Sequence, residues 1–398
     1  MTEQGFDRRT FFKGAGAVAI LLAGGGLWRA VDRGVFSTGK GPAFEPWKSW
    51  PGGDAAGHVG IIRAAILAAN PHNSQPWLFR LMERRIELYA DTNRKLGAID
   101  PFLREMYVGL GCALENMLVA AEAAGLHFRL AVMPTPEDLT HVATIDFAGD
   151  KEAAWPLHAN EPEYHQAIVK RHTNRGPYDR ERPLAQQTLD NLAAAAADFS
   201  DIKVVWFSDP DARRRAGEAI VRATQAIIAD REQSQDSAKW IRWSWREVQQ
   251  QRDGITIDSL GLPSAVRSFA KLLPRPSIAS IDKQWLDSTR DTHVATAAAF
   301  GLLAVRNRFS RAQRIETGRV WQRMHLLGTT LGLGMQPLNQ LPERADREES
   351  LGMEREFGPV LQELTGDPEF QTIMMFRAGY PTVEALPSPR RPITDVLL

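Results

Sequence analysis

The 398 residues contain one cysteine, Cys112. That excludes an internal disulfide framework and a cysteine-rich zinc or iron–sulfur site. Net charge is lacking too, since 48 Lys and Arg oppose 48 Asp and Glu. A balanced chain offers no broad electrostatic footprint for nucleic acid. The apolar run at residues 14–28 falls short of the ~20 residues that a spanning helix needs. Several catalytic signatures are missing as well. There is no G-x-S-x-G nucleophile elbow and no H-E-x-x-H. Ser37-Thr38-Gly39-Lys40-Gly41 is no phosphate loop, because Gly41 stands where Ser or Thr would bind magnesium. No G-x-G-x-x-G follows a strand; the closest glycine clusters lie before residue 30. What remains, 43% apolar and 24% charged residues, is ordinary globular usage long enough for two or three domains.

The amino-terminal segment reads differently. Asp7-Arg8-Arg9-Thr10-Phe11-Phe12-Lys13 precedes the uncharged run and resembles a twin-arginine export signal. The other reading is a chance Arg pair before a marginal membrane helix. Residues 1–30 are therefore expected to be a signal or anchor, read by the twin-arginine export machinery. With no clean A-x-A cleavage site, the segment reads either as a cleaved signal or as an uncleaved inner-membrane anchor, and the protein is expected to be periplasmic or otherwise extracytoplasmic. Residues 31–55, with Gly39, Gly41, Pro42, Pro46, Pro51, Gly52 and Gly53, read as an extended linker.

Beyond the linker, periodicity predicts helices over 56–70, 104–125, 161–171, 184–197, 210–250 and 312–331. Strands are expected at 78–81, 86–89, 126–133, 142–147, 202–207, 294–305 and 371–380, with 251–285 irregular around Pro263, Pro274 and Pro276. The long helices at 104–125 and 312–331 end alike, in Ala123-Ala124-Gly125-Leu126 and Thr330-Leu331-Gly332-Leu333. A duplicated α+β unit follows: a first half over 56–160 and a second over 161–398.

Four segments are candidates for chemistry. Asn70-Pro71-His72-Asn73-Ser74-Gln75-Pro76-Trp77 leaves a helix end as a polar loop pinned by a tryptophan. Arg171-His172-Thr173-Asn174-Arg175 could clamp a phosphate through forked, charge-assisted hydrogen bonds. Gly332 to Gln340 follows a helix, and Pro337 fixes its backbone. In the tail, Arg390 and Arg391 stand between Pro389 and Pro392. Taken singly, each also reads as a plain structure: a turn, a basic helix end, a helix cap, a basic extension.

As a set, NSQPW, RxTxR, GL-x3-PLN and GYP…RRP resemble the FMN-dependent nitroreductase superfamily. With the twin-arginine leader, they are most similar to its Acg-like branch. The resemblance implies a nitroreductase-like α+β fold, with FMN held where two subunits meet. Here the two halves of one chain would form an intrachain pseudo-dimer with one FMN. Carried over by residue, Arg171, Thr173, Arg175 and Arg390 would hold the phosphate, with Arg391 as a neighbouring substitute. Arg175 would also reach the ribityl and N1–O2 edge. Asn70, Pro71 and Asn73 would touch the ring from the other half. Pro337, Leu338 and Asn339 would offer a backbone N–H to flavin N5. Asn339 stands where the family often has an acid, which leaves its side-chain contact open.

The insertion at about 230–290, with Trp240, Trp243, Trp245 and Trp285, reads either as a lid over the flavin or as a surface segment capping a sheet. His158, His165 and His172 recur every seven residues, without the acidic or cysteine partners of a metal site. The expected function is an exported oxidoreductase passing hydride through flavin N5, its electron donor and acceptor unidentified. The competing expectation is a non-enzymatic flavin store or sensor.

Overall fold

The computed structural model describes residues 26–50, 57–135, 137–147 and 161–398; the twin-arginine motif lies outside them. Strands β1 (Trp77–Met82), β2 (Arg85–Ala90), β3 (Phe128–Val132) and β4 (His141–Phe147) form one antiparallel sheet in the order β1-β2-β4-β3. Strand β5 (Ile202–Phe207) starts the second sheet. The short parallel pair β6 (Ile241–Arg242) and β7 (Ile255–Thr256) stands apart. Strands β8 (Ala299–Val305), β9 (Gly334–Pro337) and β10 (Gln371–Gly379) complete the second sheet in the order β5-β8-β10-β9. Counted within each sheet, both orders are first-second-fourth-third. Helix α1 (His58–Ala65) precedes the first sheet. In each half a long helix joins the second strand to the third: α2 (Arg104–Ala123) and later α8 (Arg311–Thr330). Gly125 and Gly332 follow these helices with φ of 67° and 70°, a left-handed cap that costs glycine nothing. The α+β fold of two tandem halves is thus the observed one.

The long helices cross at two glycines. A Cβ on Gly111 would strike the Ile315 carbonyl and lie 3.0 Å from the Gly318 Cα. A Cβ on Gly318 would strike the Val108 carbonyl and lie 2.9 Å from the Gly111 Cα. The offset that relates Gly125 to Gly332 also relates Gly111 to Gly318 and Val108 to Ile315. The contact therefore repeats itself about the seam.

The halves differ at the link between their first two strands. In the first, Met82 pairs with Arg85 across a tight turn. In the second, residues 208–298 intervene, folded as α3 (Pro210–Ala229), α4 (Arg231–Ala238), α5 (Trp245–Gln251), α6 (Ser264–Leu272) and α7 (Ile278–Ser288). The expected single helix over 210–250 breaks because Asp230 caps a new helix, accepting from the Glu232 and Gln233 amides, and Ser244 forms a capping box with Glu247. The stretch expected to be irregular is mostly helical. Pro263 stands at the amino-terminal cap of α6, and Pro274 and Pro276 lie between helices, where proline removes no helical hydrogen bond. The expected strand start at 294 is a π-helical turn, Thr289–Val294, before β8. In the carboxy-terminal half, α9 (Gln340–Leu351) and α10 (Phe357–Thr365) pack on the second sheet.

The carboxy-terminal tail of the second half crosses to the first. The Phe79 amide donates to Val396 O and the Leu398 amide to Phe79 O, both at 2.8 Å, so the tail runs parallel along β1. Within the second half, the Asn174 amide reaches Met335 O at 3.2 Å and the Asp179 amide reaches Tyr380 O at 2.8 Å, tying its first residues to β9 and to the end of β10. The linker expected at 31–55 is corrected within its described part. Pro42–Phe44 and Glu45–Lys48 are short helices, and Phe44, Trp47 and Trp50 are buried in the main core. Burying three large aromatic side chains outweighs the local glycine and proline signal.

Candidate functional site

A cavity of about 250 Å³ opens where the two halves meet. The NPHNSQPW loop forms one wall. It leaves α1 and settles on Gly109 of α2, whose missing Cβ would come within 2.8 Å of Pro71 Cδ. His72, Asn73 and Gln75 hold φ of 49°, 54° and 53°, costly for side chains bearing a Cβ and kept only where surroundings over-determine them. Those surroundings are visible. Asn70 Oδ1 accepts from the Gln75 amide at 2.8 Å. Asn73 Nδ2 donates to Gly254 O at 3.1 Å and to Pro389 O at 2.9 Å. Gln75 Nε2 donates to Arg252 O at 2.8 Å. Trp77 is fully buried at the start of β1.

The arginines expected to form the clamp separate into two groups. Thr173 and Arg175 line the cavity, and Arg175 donates to Ser259 O at 3.2 Å. Burial lowers the Arg175 guanidinium to about 10, and the adjacent Arg377 adds to this; it remains a cation at neutral pH. Arg171 and Arg390 lie behind the wall. Both turn to the carboxy-terminal end of α1: Arg171 Nη2 donates to Leu67 O at 3.0 Å and Arg390 Nη2 to Ala68 O at 3.2 Å. Arg390 Nη1 also donates to Asn73 Oδ1 at 2.5 Å, joining the tail to the loop. The Nε atoms of Arg171 and Arg390 are buried without a partner. Burial lowers Arg171 to about 10 and holds Arg390 well below its usual value, with Arg171 adding repulsion. Among the described residues no carboxylate pairs with Arg171, Arg175, Arg377 or Arg390. Buried unpaired charge is expensive, and an anion is the partner that would relieve it. The histidines beside them stay neutral. Burial lowers His172 to about 3, helped by Arg171 and Arg390, and His72 to about 4, helped by Arg175.

Arg391 is a correction. It cannot stand in for Arg390, because neighbouring side chains on an extended chain point oppositely. Its guanidinium donates to Gln75 O at 3.3 Å and to Asp395 O, outside the cavity.

Pro337, Leu338 and Asn339 all line the cavity. The Leu338 amide is already given to Met375 O at 2.8 Å, and proline has none, so Asn339 is the one of the three with an N–H to direct at a ligand. The Asn339 Oδ1 accepts from the Met375 amide at 3.1 Å. Its side chain thus serves β10, and the side-chain contact left open in the sequence is not free to form through that oxygen.

The insertion covers the cavity, and Ser237, Ile241, Trp243, Ile281 and Trp285 face it. It is fastened to the first half at the Arg252–Gly254 turn and by His72 Nε2, 3.2 Å from Ser237 Oγ. Arg94 of the first half also binds the Asp253 carboxylate. Sequence reasoning missed Glu105 and Glu343, buried acids on the same wall, and Trp321 and Cys112 from the long helices. Glu105, Cys112 and Trp321 sit on the two crossing helices and Glu343 in the first turn of α9, helices buried on several faces, which a single apolar stripe does not reveal.

At the pseudo-symmetric position, side chains close the space. Glu115, fully buried, accepts from Arg319 Nε at 2.8 Å and Arg323 Nε at 2.6 Å. Arg323 continues to Asp198 at 2.9 Å, and both guanidinium groups lie over the Phe199 ring. Asp198 and Phe199 occupy the place in the second half that the NSQPW loop holds in the first.

No family model matches the chain. Over 87 residues it is 37% identical to a protein of Mycobacterium tuberculosis H37Rv whose provisional name is NAD(P)H nitroreductase acg. That match covers 22% of this chain and spans only 26% of the relative's length. The uncharacterized protein Rv3127 of the same organism is 24% identical over 344 residues, 84% of this chain and 91% of that one. Among solved structures, the FMN-dependent nitroreductase NfnB from Mycobacterium smegmatis, in complex with NADPH, matches with a TM-score of 0.38. Its identity is 17%, over 59% of this chain and 96% of that chain. A nitroreductase with bound FMN from Desulfitobacterium hafniense gives 0.34 and 14%, over 58% and 95%. In sequence, then, the chain is similar to nitroreductase-like proteins, and most closely over the 87-residue stretch.

Proposed function

We propose that this chain is an FMN-binding oxidoreductase of nitroreductase type, with one flavin between its halves under the insertion. The observation that carries the reading is the set of buried arginines around a cavity at the seam, without carboxylate partners among the described residues, an arrangement that asks for a bound anion. The donor set fits FMN. Thr173 and Arg175 would take the phosphate and ribityl side, with the unpartnered Nε atoms of Arg171 and Arg390 behind them. Asn70 and Pro71 would meet the ring from the first half, and the Asn339 amide from the second. The flavin, when bound, supplies hydride transfer at N5. The protein contributes position, exclusion of water, and positive charge that favours the reduced anionic ring. The sequence similarity to a provisionally named NAD(P)H nitroreductase supports the same reading.

The insertion favours a second reading, a flavin store or sensor, because Trp243 and Trp285 close over the cavity. Anaerobic stopped-flow reduction decides between them. Bleaching of the yellow protein within seconds by NAD(P)H or a quinol supports the enzyme; reduction by light alone supports storage. A colourless protein that takes up no FMN defeats both. The Arg8-Arg9 pattern supports twin-arginine export to the periplasm with a retained anchor. An Arg8→Lys/Arg9→Lys variant left in the cytoplasmic fraction would agree; normal fractionation would not.

A further inference from the structure

Glu105 and Glu343 stand in the first turns of α2 and α9 and line the same cavity. Each side chain is about one-twentieth exposed, and the two carboxyl groups are within hydrogen-bond reach of each other. Two carboxyl groups in contact cannot both ionise without strong repulsion, so the pair must hold a proton between them. Arg104, the nearest cation, offsets this only in part. It is committed to Asp346 at 2.6 Å and to Ile373 O at 2.7 Å, and reaches Glu105 only at 3.5 Å. Asp100 is occupied by the Glu105 and Met106 amides. Arg308 is bound to Asp346 and Glu349, and Arg314 is spent on the carbonyls of Arg308 and Phe102. Glu343 Oε2 is buried with no partner, and so is the Oε1 of Gln340, one turn earlier on the same cavity wall.

We propose that the Glu105–Glu343 pair is a proton store in the cavity wall, and that Glu343 is the proton donor to an apolar carbonyl acceptor of quinone type reduced there. The proposal rests on the flavin reading for its source of electrons. Reducing a quinone to a hydroquinone takes a hydride and a proton. The hydride comes from the reduced flavin. The proton leaves the Glu343 carboxyl, where the O–H bond breaks, and bonds to the quinone oxygen. The carboxylate left behind regains a proton from solvent. Trp243, Trp285 and Ile281 provide an apolar wall for such an acceptor. Burial pushes both carboxyls up, Glu343 to about 7 and Glu105 well above its usual range, and it is Glu343 whose Oε2 is without a partner and so open to proton exchange.

The test uses the full chain and its Glu343→Gln variant, with p-benzoquinone as the acceptor probe. Infrared difference spectra between pH 6 and pH 8 should show a protonated carboxyl band in the wild type that the variant lacks, with or without flavin. Oxidation of the reduced protein by p-benzoquinone should slow above about pH 7. In Glu343→Gln it should be about 100-fold slower and independent of pH in that range, with FMN content unchanged. Glu343→Asp should restore part of the rate and the pH dependence, which a purely structural role would not predict. Should Glu343→Gln not fold, Glu343→Asp takes its place and must shift the same band. A wild-type pH profile and rate in Glu343→Gln, or in Glu343→Asp where it stands in, overturns the donor role. Absence of the band overturns the store. Failure to take up FMN overturns the flavin reading and with it the donor role, while the infrared band alone still decides whether the pair keeps its proton.

Discussion

Gly111 and Gly318 bring the two long helices into backbone contact, each filling the space that a Cβ on the other would need. The obstacle in both cases is a main-chain carbonyl, Ile315 O or Val108 O, which cannot swing aside as a side chain can. The cavity spans this seam, so the crossing sets its width.

Gly111→Ala and Gly318→Ala should therefore each lower stability by about 1–3 kcal/mol through overpacking. The double variant should lose less than the sum, since one displacement of the helices relieves both clashes. Thermal melts followed by circular dichroism check this; unchanged midpoints would mean the helices can part freely.

Arg175→Ala should weaken FMN binding by roughly 10- to 100-fold, the worth of about 1.5–3 kcal/mol for a hydrogen bond from a charged group. Arg171→Ala with Arg390→Ala should abolish retention of the flavin through purification. Arg391→Ala should leave affinity unchanged, because its guanidinium faces Gln75 and Asp395. Isothermal titration of the apoprotein measures all three.

Removing Glu115 should damage the fold more than the site. Glu115→Ala removes the buried carboxylate that Arg319 and Arg323 share, a loss of about 3–5 kcal/mol. It should not create a second flavin site, so the FMN-to-protein ratio, from absorbance, should stay at or below one.

Acid should destabilise the protein before carboxylate titration explains it. His72 is lowered to about 4 and His172 to about 3, against an ordinary 6.5. Their contribution is complete above pH 6.5 and is lost as pH falls, because the unfolded chain takes up protons that the folded chain refuses. For His72 the loss approaches about 3 kcal/mol by pH 4. Denaturant midpoints between pH 7 and pH 4 should fall for wild type and flatten in His72→Asn. Equal slopes would reject the assignment.

Trp285→Ala should open the cover. Reduction by an external donor should quicken and FMN should dissociate faster, both visible in stopped-flow absorbance. A faster loss of flavin without faster reduction would mean that access is gated elsewhere.

The sequence showed the two halves because their long helices end in like words, Gly125 and Gly332, and because alternation marked most strands. It showed Asn70, Pro71, Thr173, Arg175 and Pro337 to Asn339 as residues that meet at one cavity, through motif resemblance. It could not show that Arg171 and Arg390 turn away to the end of α1, since side-chain direction there depends on Leu67 and Ala68, far along the chain. Nor could periodicity find Glu105 or Glu343. A helix buried on all faces has no polar side to set an acid apart. The helices within 251–285 were hidden by prolines that mark boundaries rather than interruptions.

The strand contact between Phe79 and residues 396–398 bears on the order of events at synthesis. Strand β1 is made more than 300 residues before the segment at 396–398 that covers its outer edge. Until then β1 presents unpaired main-chain groups, and Asn73 lacks the guanidinium of Arg390. A nascent chain can thus form its long helices and hairpins, but the pocket closes only once residues 390–398 have joined it, a non-local step.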